Sequence, residues 1–319
     1  MAERDWIGKY FAPLAGTAGA VGLSDDTAQL GTWKRPVAVT TDAMVEGVHF
    51  LAADPIASIA RKLVRVNVSD ILSAGALPRE ALLTLGWPAG RPESELAVFA
   101  GAFGDELSRW NIALIGGDTV ASPLGLFLSL TLTGECVGEA LVRRGGAKPG
   151  DDLWVTGEIG GPRRGYTARA EGQASVHLAA LLEPDLPPLG AAGVIAQLAT
   201  AAMDVSDGLL GDAAQLAAAS GLCAEVRLDA VPFAGGVSGP AEAIDLASWG
   251  DDYQLLFTSP AESREDVLRL AELKQVRISR IGRVSEGRGL GASWHGEAVN
   301  LPETIGFEHG RIGMPATRP

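Results

Sequence analysis

Aspartates recur in this chain where an apolar segment gives way to a turn, each beside small or hydroxyl-bearing residues. Six such junctions occur: Ser24-Asp25-Asp26, Thr40-Thr41-Asp42, Asn67-Val68-Ser69-Asp70, Gly116-Gly117-Asp118-Thr119, Asp204-Val205-Ser206-Asp207-Gly208 and Gly250-Asp251-Asp252. Each offers short oxygen ligands on backbone that can approach another group closely. Hard cations such as magnesium take oxygen ligands and combine a few carboxylates with phosphates and water. Carboxylates gathered in one place repel one another, and any polyphosphate, unless metal ions neutralise them. Taken singly, each aspartate also fits a helix cap or a turn: Asp207 before Gly208 reads as an N-cap, and Asp151-Asp152 as a plain turn. As a set they point to a metal and phosphate site.

Other chemistries are excluded by what the sequence lacks. It has no Gly-x-x-x-x-Gly-Lys-Ser/Thr loop, no Gly-x-Ser-x-Gly elbow and no His-Glu-x-x-His. Gly16, Gly19 and Gly22 read as a flexible connector. His49, His177, His295 and His309 never pair at ligand spacing. Cys136 and Cys223 are the only cysteines and stand far apart, which excludes a disulfide framework and a thiolate zinc site and implies a reducing, cytoplasmic compartment. With 39 acidic against 26 basic side chains the net charge is −13, so a general nucleic-acid binder is not expected. No apolar run reaches the roughly 18 residues of a membrane span, and Met-Ala-Glu-Arg-Asp lacks the character of a signal peptide.

The elements that must position these acids follow from periodicity. Trp6, Ile7, Tyr10, Phe11 and Leu14 predict a short amphipathic helix. Val37–Thr41 predicts a strand ending on Asp42, and Pro55–Leu72 a helix. Strands are expected at Ala81–Leu85 and Ile112–Ile115, with a helix over Glu93–Trp110 between them. Leucines at every even position from Leu126 to Leu132 predict a strand with one dry face, typical of an antiparallel sheet. Glycine, proline and charge crowd together over residues 143–152, which marks a domain boundary. Beyond it come a strand at Leu153–Thr156, helices at Ala191–Thr200 and Leu209–Ser220, and a strand at Tyr253–Thr258. A helix capped by Ser259 with Pro260 in its first turn follows, then a strand at Val276–Val284 and a loop-rich remainder from Ser285 on. At 319 residues and 47% hydrophobic composition, two domains are expected, spanning 1–142 and 143–319. Their irregular mixture of strands and helices makes the fold class α+β / mixed α/β rather than a barrel.

In their order along the chain these segments resemble the thiamine-monophosphate kinase family, of the superfamily that includes aminoimidazole-ribonucleotide synthetase. The resemblance runs from Asp25 to Phe307. It is carried by Thr40-Thr41-Asp42 with Gly47-Val48-His49-Phe50, Val66-Asn67-Val68-Ser69-Asp70, Ile115-Gly116-Gly117-Asp118-Thr119, Gly146-Ala147-Lys148-Pro149-Gly150-Asp151 and Asp204-Val205-Ser206-Asp207-Gly208. It implies an amino-terminal α+β domain whose sheet pairs with its twin in a homodimer, a carboxy-terminal α/β domain, and ATP with several Mg2+ ions in the cleft between them. By matching position, Asp25, Thr40, Thr41, Asp42, Asp70, Asp118, Asp204 and Asp207 would be metal ligands, directly or through water. Gly117, Arg144 and Ser206 would contact ATP, and His49, Asp251 and Phe307 would line the thiamine phosphate pocket. No catalytic residue separate from the metal ligands is expected: the acceptor phosphate is already ionised, and the obstacle is to bring two polyanions together in line.

The chain also departs from that family. Ser24 stands where glycine is usual. Gly-Gly-Glu-Asp-Tyr-Glu becomes Trp249-Gly250-Asp251-Asp252-Tyr253-Gln254, and Pro-x-Pro-Arg becomes Pro187-Pro188-Leu189-Gly190. The expected activity is ATP-dependent phosphorylation of thiamine phosphate to thiamine diphosphate. The alternatives are a non-catalytic paralogue that binds nucleotide or thiamine phosphate, and a related ATP-dependent enzyme with a different acceptor.

Overall fold

In the computed structural model, which describes residues 3–302 and 305–306, the chain divides into two units. One holds the chain up to Ile71 together with Leu77–Cys136; the other holds Leu72–Ala76 and the chain from Val137 on.

The first unit begins with α1 (Glu3–Trp6), followed by a π-helical turn at Ile7–Phe11 and a 3-10 turn at Ala12–Leu14. The segment is helical as expected but not one regular α-helix: it passes through a π-helical turn into a 3-10 turn that carries Pro13, which has no amide to donate. Then come β1 (Val37–Val45), α2 (Ile56–Ser73), β2 (Ala76–Pro88), α3 (Glu93–Arg109), β3 (Ala113–Ser122) and β4 (Phe127–Cys136). The strands form one sheet in the order β1-β4-β2-β3, with β1 and β4 antiparallel and β2 and β3 parallel. Leu126, Leu128, Leu130 and Leu132 are all buried, so the expected dry face of β4 is real. Trp87 of β2 packs edge-on against Phe99 of α3, which stacks on Phe103 one turn later. The strands outrun their apolar cores because their polar residues find partners. Arg79 of β2 pairs with Glu135 of β4 at 3.2 Å, and Glu80 accepts the Gly31 amide.

The second unit contains β5 (Asp152–Thr156), α4 (Gly161–Ala170), α5 (Leu178–Leu182), α6 (Gly190–Leu198), β6 (Ala201–Asp204), α7 (Leu209–Ala219), β7 (Cys223–Arg227), α8 (Pro240–Ala247), β8 (Leu255–Ser259), α9 (Arg264–Leu273), β9 (Ile278–Ser285), β10 (Gly289–Trp294) and β11 (Glu297–Ala298). Its seven-stranded sheet runs β11-β10-β7-β9-β5-β8-β6. Leu209, Leu210, Leu216 and Ala217 of α7 bury their side chains in the same core as Val155, Met203, Val226 and Leu256.

Three expectations are corrected here. Ser259 is not a helix cap: it is buried in β8, where its hydroxyl accepts a hydrogen bond from Trp154 Nε1 at 3.0 Å, and α9 starts only at Arg264. Asp152 is not a turn residue but the buried start of β5, held by Arg264 at 2.8 Å and Arg280 at 2.9 Å. The chain after Ser285 is less loop-rich than expected, since glycine-rich β10 pairs in parallel with β7. Among the described residues no helix is long and apolar enough to cross a membrane.

Candidate functional site

Alternation along β1 divides the Thr40-Thr41-Asp42 motif between the two faces of the sheet. Thr40 and Asp42 share the face toward α2. There the Thr40 hydroxyl donates to Asp70 Oδ2, and Asn67 Oδ1 accepts the Asp42 amide at 3.1 Å. Asn67 and Asp70 lie one turn apart on α2, and Asn67 is itself fixed by donating to the Leu63 carbonyl at 2.9 Å. Burial, with the neighbouring Asp70 charge, pushes the Asp42 carboxyl up to about 6. Two facing carboxylates in partial burial are a donor set suited to a hard cation, which would return Asp42 to its ionised form.

Thr41 lies on the opposite face, where Thr131 Oγ1 donates to its hydroxyl at 3.1 Å. Thr131 also lines a pocket of about 610 Å³ together with Asp25, Asp26, Thr84, Gly117 and Asp118. Asp25 Oδ1 accepts the Thr27 amide at 3.2 Å, which sets the turn. Gly117 follows a bulge in the pairing of β2 with β3, and a Cβ there would stand 1.9 Å from the Leu83 carbonyl oxygen. Only glycine fits, so the chain beside Asp118 presents bare backbone to the pocket. His49 sits in the turn after β1, its Nδ1 accepting the Val45 amide at 3.0 Å; the neutral ring therefore carries its proton on Nε2.

In the second unit Asp204 ends β6, and the chain through Val205, Ser206 and Asp207 leads into α7. This loop is fastened to residues 251–254 by backbone hydrogen bonds. Asp251 donates to the Ser206 carbonyl at 2.9 Å, Tyr253 to the Val205 carbonyl at 2.8 Å, and Val205 to the Gln254 carbonyl at 2.8 Å. Gly250, Asp251 and Tyr253 all take positive φ, of 93°, 63° and 50°. For two non-glycine residues that is a strained conformation, of the kind found at ligand-binding loops. Arg144 reaches Gln215 of α7 at 3.2 Å, and the adjacent Arg143 carbonyl accepts the Ala202 amide of β6. Burial pushes the Asp252 carboxyl well above the usual range, with the Gly160 amide opposing the shift and Asp251 and Asp212 adding to it. Burial and Asp207 likewise raise the Asp212 carboxyl to about 7.

Among the described residues no three His, Cys, Asp or Glu side chains converge to enclose a metal by themselves. The oxygen donors instead occur as small sets: Thr40, Asp42 and Asp70; Asp25 and Asp118 at the pocket; Asp204 and Asp207 beside α7. Magnesium is commonly held by one or two carboxylates with phosphate and water completing its shell, and such sets fit that habit. Phe307 and His309 lie outside the described residues. Gly306 rests near the Asp207 carbonyl, with a Cβ there standing 3.1 Å from it.

Comparison with known proteins gives this arrangement a family. Residues 24–136 match the model of the AIR synthase related protein N-terminal domain, and residues 148–295 that of the C-terminal domain. The thiamine-monophosphate kinase of Caulobacter vibrioides is 36% identical over 97% of this chain and 91% of its own length. The chain belongs to the thiamine-monophosphate kinase family. Among solved structures, the thiamine-monophosphate kinase of Stenotrophomonas maltophilia superposes with a TM-score of 0.77 at 33% identity, covering 86% of this chain and 90% of that one. AaThiL, complexed with AMPPCP and TMP, superposes with a TM-score of 0.75 at 30% identity, covering 90% and 91%. Both units are mixed α/β domains of the AIR synthase related type.

Trp249 and Gln254 have contacts of their own. The Trp249 ring packs on Tyr166 with centroids 4.6 Å apart, and the Arg163 guanidinium stands 4.5 Å from it. Gln254 accepts the Thr156 hydroxyl at 2.8 Å and donates to the Asp185 carbonyl. Its side chain is thus spent on holding the unit together. The residues carried over by the resemblance do not include Asp26, which the first aspartate junction offers, nor Thr84 and Thr131, all of which line the pocket with Asp25 and Asp118, nor Asn67 as the group that fixes Asp42. Thr131 carried a signal, since it faces away from the dry leucine side of β4.

Proposed function

We propose that this chain transfers the γ-phosphate of ATP directly to thiamine phosphate, giving thiamine diphosphate and ADP, the last step of thiamine diphosphate biosynthesis. The observation that carries this is family membership along nearly the whole chain, joined to the 30% identity with AaThiL, which has been seen complexed with AMPPCP and TMP.

In this proposal Thr40, Thr41, Asp42, Asp70, Asp25 and Asp118 of the first unit, with Asp204 and Asp207 of the second, hold Mg2+ directly or through water. Bound there, magnesium ions would neutralise the phosphate oxygens of donor and acceptor and stabilise charge in the transferring group. Gly117 offers close backbone approach, Ser206 a hydroxyl and Arg144 a fixed cationic fork for phosphate. His49, Asp251 and Phe307 orient thiamine phosphate, an aromatic face and an acid both suiting the thiazolium cation. No side chain need act as a general base, because the attacking phosphate oxygen is already ionised. The same proposal takes residues 1–142 and 143–319 as the working domains, with ATP in the cleft the family resemblance implies, and a homodimer formed through the first sheet. Exposed Val39 and Val45 on edge strand β1 support the dimer. The two isolated cysteines support a cytoplasmic location.

The test is ADP and thiamine diphosphate formation from ATP, Mg2+ and thiamine phosphate, with unphosphorylated thiamine and excess chelator as controls. Product only with the phosphorylated acceptor and free metal is the expected result. Saturable binding of ATP and thiamine phosphate without product would refute transfer and favour the non-catalytic binder. Failure to bind thiamine phosphate at all would point to another acceptor.

A further inference from the structure

The chain entering α7 lacks the cap its sequence advertises. Gly208 occupies the N-cap position with φ 123° and ψ 135°, and no side chain caps the helix from there. The acceptor comes instead from within the helix. Asp212, in the first turn and fully buried, turns back so that Oδ2 accepts the amides of both Asp207 and Gly208, each at 3.2 Å. The Gly208 amide is one of the donors that a helix N-terminus leaves without an intrahelical partner, and the Asp207 amide stands one residue before it; the positive end of the helix dipole favours a carboxylate in that place. Its other oxygen, Oδ1, is buried without a hydrogen-bond partner. Burying a carboxylate half-satisfied is costly. A neutral serine or asparagine at the N-cap would cap the helix more cheaply.

What the carboxylate does beyond capping is brace a loop from inside. The outer side of that loop is fixed by residues 251–254 and by close packing: a Cβ on Gly250 would lie 2.3 Å from the Ser206 carbonyl oxygen, and one on Gly208 2.8 Å from Ser248 backbone. The inner side is fixed at Asp207 and Gly208 by Asp212. Between these two clamps lie Ser206 and Asp207.

We propose that Asp212 is a positioning residue for phosphoryl transfer, its carboxylate setting the backbone from which Ser206 and Asp207 reach the metal-bound nucleotide. This rests on the functional assignment above, since it takes Ser206 and Asp207 as nucleotide and metal contacts. In this role Asp212 accepts two amide hydrogens and acts through Ser206 and Asp207 rather than on substrate or metal.

The experiment compares wild type, Asp212→Asn and Asp212→Ala by amide hydrogen exchange at Asp207 and Gly208, by Mg2+ titration of activity, and by thermal unfolding. Asparagine retains the accepting oxygen and alanine removes it. In the wild type both amides should exchange at least about tenfold more slowly than open-loop amides. Asp212→Asn should keep that protection and stay within about fivefold of wild-type turnover. Asp212→Ala should lose the protection and need about tenfold more Mg2+ for half-maximal activity at temperatures where it remains folded. Unprotected amides at Asp207 and Gly208 in the wild type would overturn the proposal without any variant. So would Asp212→Asn losing more than about 100-fold in turnover with its amides still protected, because the charge rather than the acceptor would then matter. An unchanged Mg2+ requirement in folded Asp212→Ala would reduce Asp212 to a structural cap. A wild type that makes no thiamine diphosphate sinks the functional assignment, whereas the exchange measurement judges the Asp212 brace on its own.

Discussion

Removing the charge of Asp42 should make the metal-free protein more stable while impairing it as an enzyme. Asp42 shares a partly buried face of β1 with Asp70, and burial with that neighbouring charge raises its carboxyl from 3.8 to about 6. The folded state therefore holds a proton that the unfolded chain releases, so the stability Asp42 contributes is complete below about pH 3.8 and is lost as pH rises through about 6. At 1.36 kcal/mol per pH unit, that climb amounts to at most about 3 kcal/mol of strain at pH 7.5. Asp42→Asn keeps the size and removes the charge, and each kcal/mol recovered should raise the thermal midpoint of a unit this large by about 2–4 °C. The assay is thermal unfolding in chelator at pH 4.5 and 7.5, repeated at pH 7.5 with Mg2+. The variant's stability relative to wild type should be higher at pH 7.5 than at pH 4.5 by about 2 kcal/mol, and it should gain less than wild type from Mg2+. An equal offset at both pH values, or a variant less stable than wild type at pH 7.5, would refute the idea that burial and the Asp70 charge strain an ionised Asp42 in the metal-free protein.

Three further outcomes are expected. Asp118→Asn should lower turnover on the order of 100-fold with the thermal midpoint held within a degree or two; near-normal turnover would remove Asp118 from the metal set. Gly117→Ala should cost more than about 3 kcal/mol in urea unfolding, because its Cβ would sit 1.9 Å from the Leu83 carbonyl; a loss below about 1 kcal/mol would show that β2 and β3 can separate freely. Asp251→Glu should leave the use of thiamine phosphate intact or improved while lowering stability by about 0.5–1 kcal/mol, since Asp251 stands at φ 63° and aspartate tolerates that region better than longer side chains. A large rise in KM for thiamine phosphate would show a pocket rebuilt around the shorter acid.

The aspartate junctions were legible because short acids at strand and helix ends have few other uses in such number, and the alternating leucines of β4 fixed the inside of the first sheet. What stayed hidden was orientation. Thr40, Thr41 and Asp42 read as one motif, yet a strand turns neighbours to opposite faces, so Thr41 joins Thr131 while Thr40 and Asp42 meet α2. Asp152 read as a turn because its two arginines stand 112 and 128 residues away. Strand β10 was obscured by its glycines, which pair with β7 through backbone and need no apolar pattern. Asp212 left no signal at all, since an acid in the first turn of a helix is ordinary and only the fold shows which amides it holds.

The bracket between residues 205–206 and 251–254 has a consequence for how such a protein can diverge. Because the Ser206 carbonyl is tied to the Asp251 amide and the Val205 carbonyl to that of Tyr253, inserting or deleting a residue in either segment would drag the other out of place. Changes at this spot are then confined to side-chain tips, where the backbone need not shift. Asp251→Glu is such a change: it advances a carboxylate by one methylene while the backbone that carries Ser206 and Asp207 stays in place.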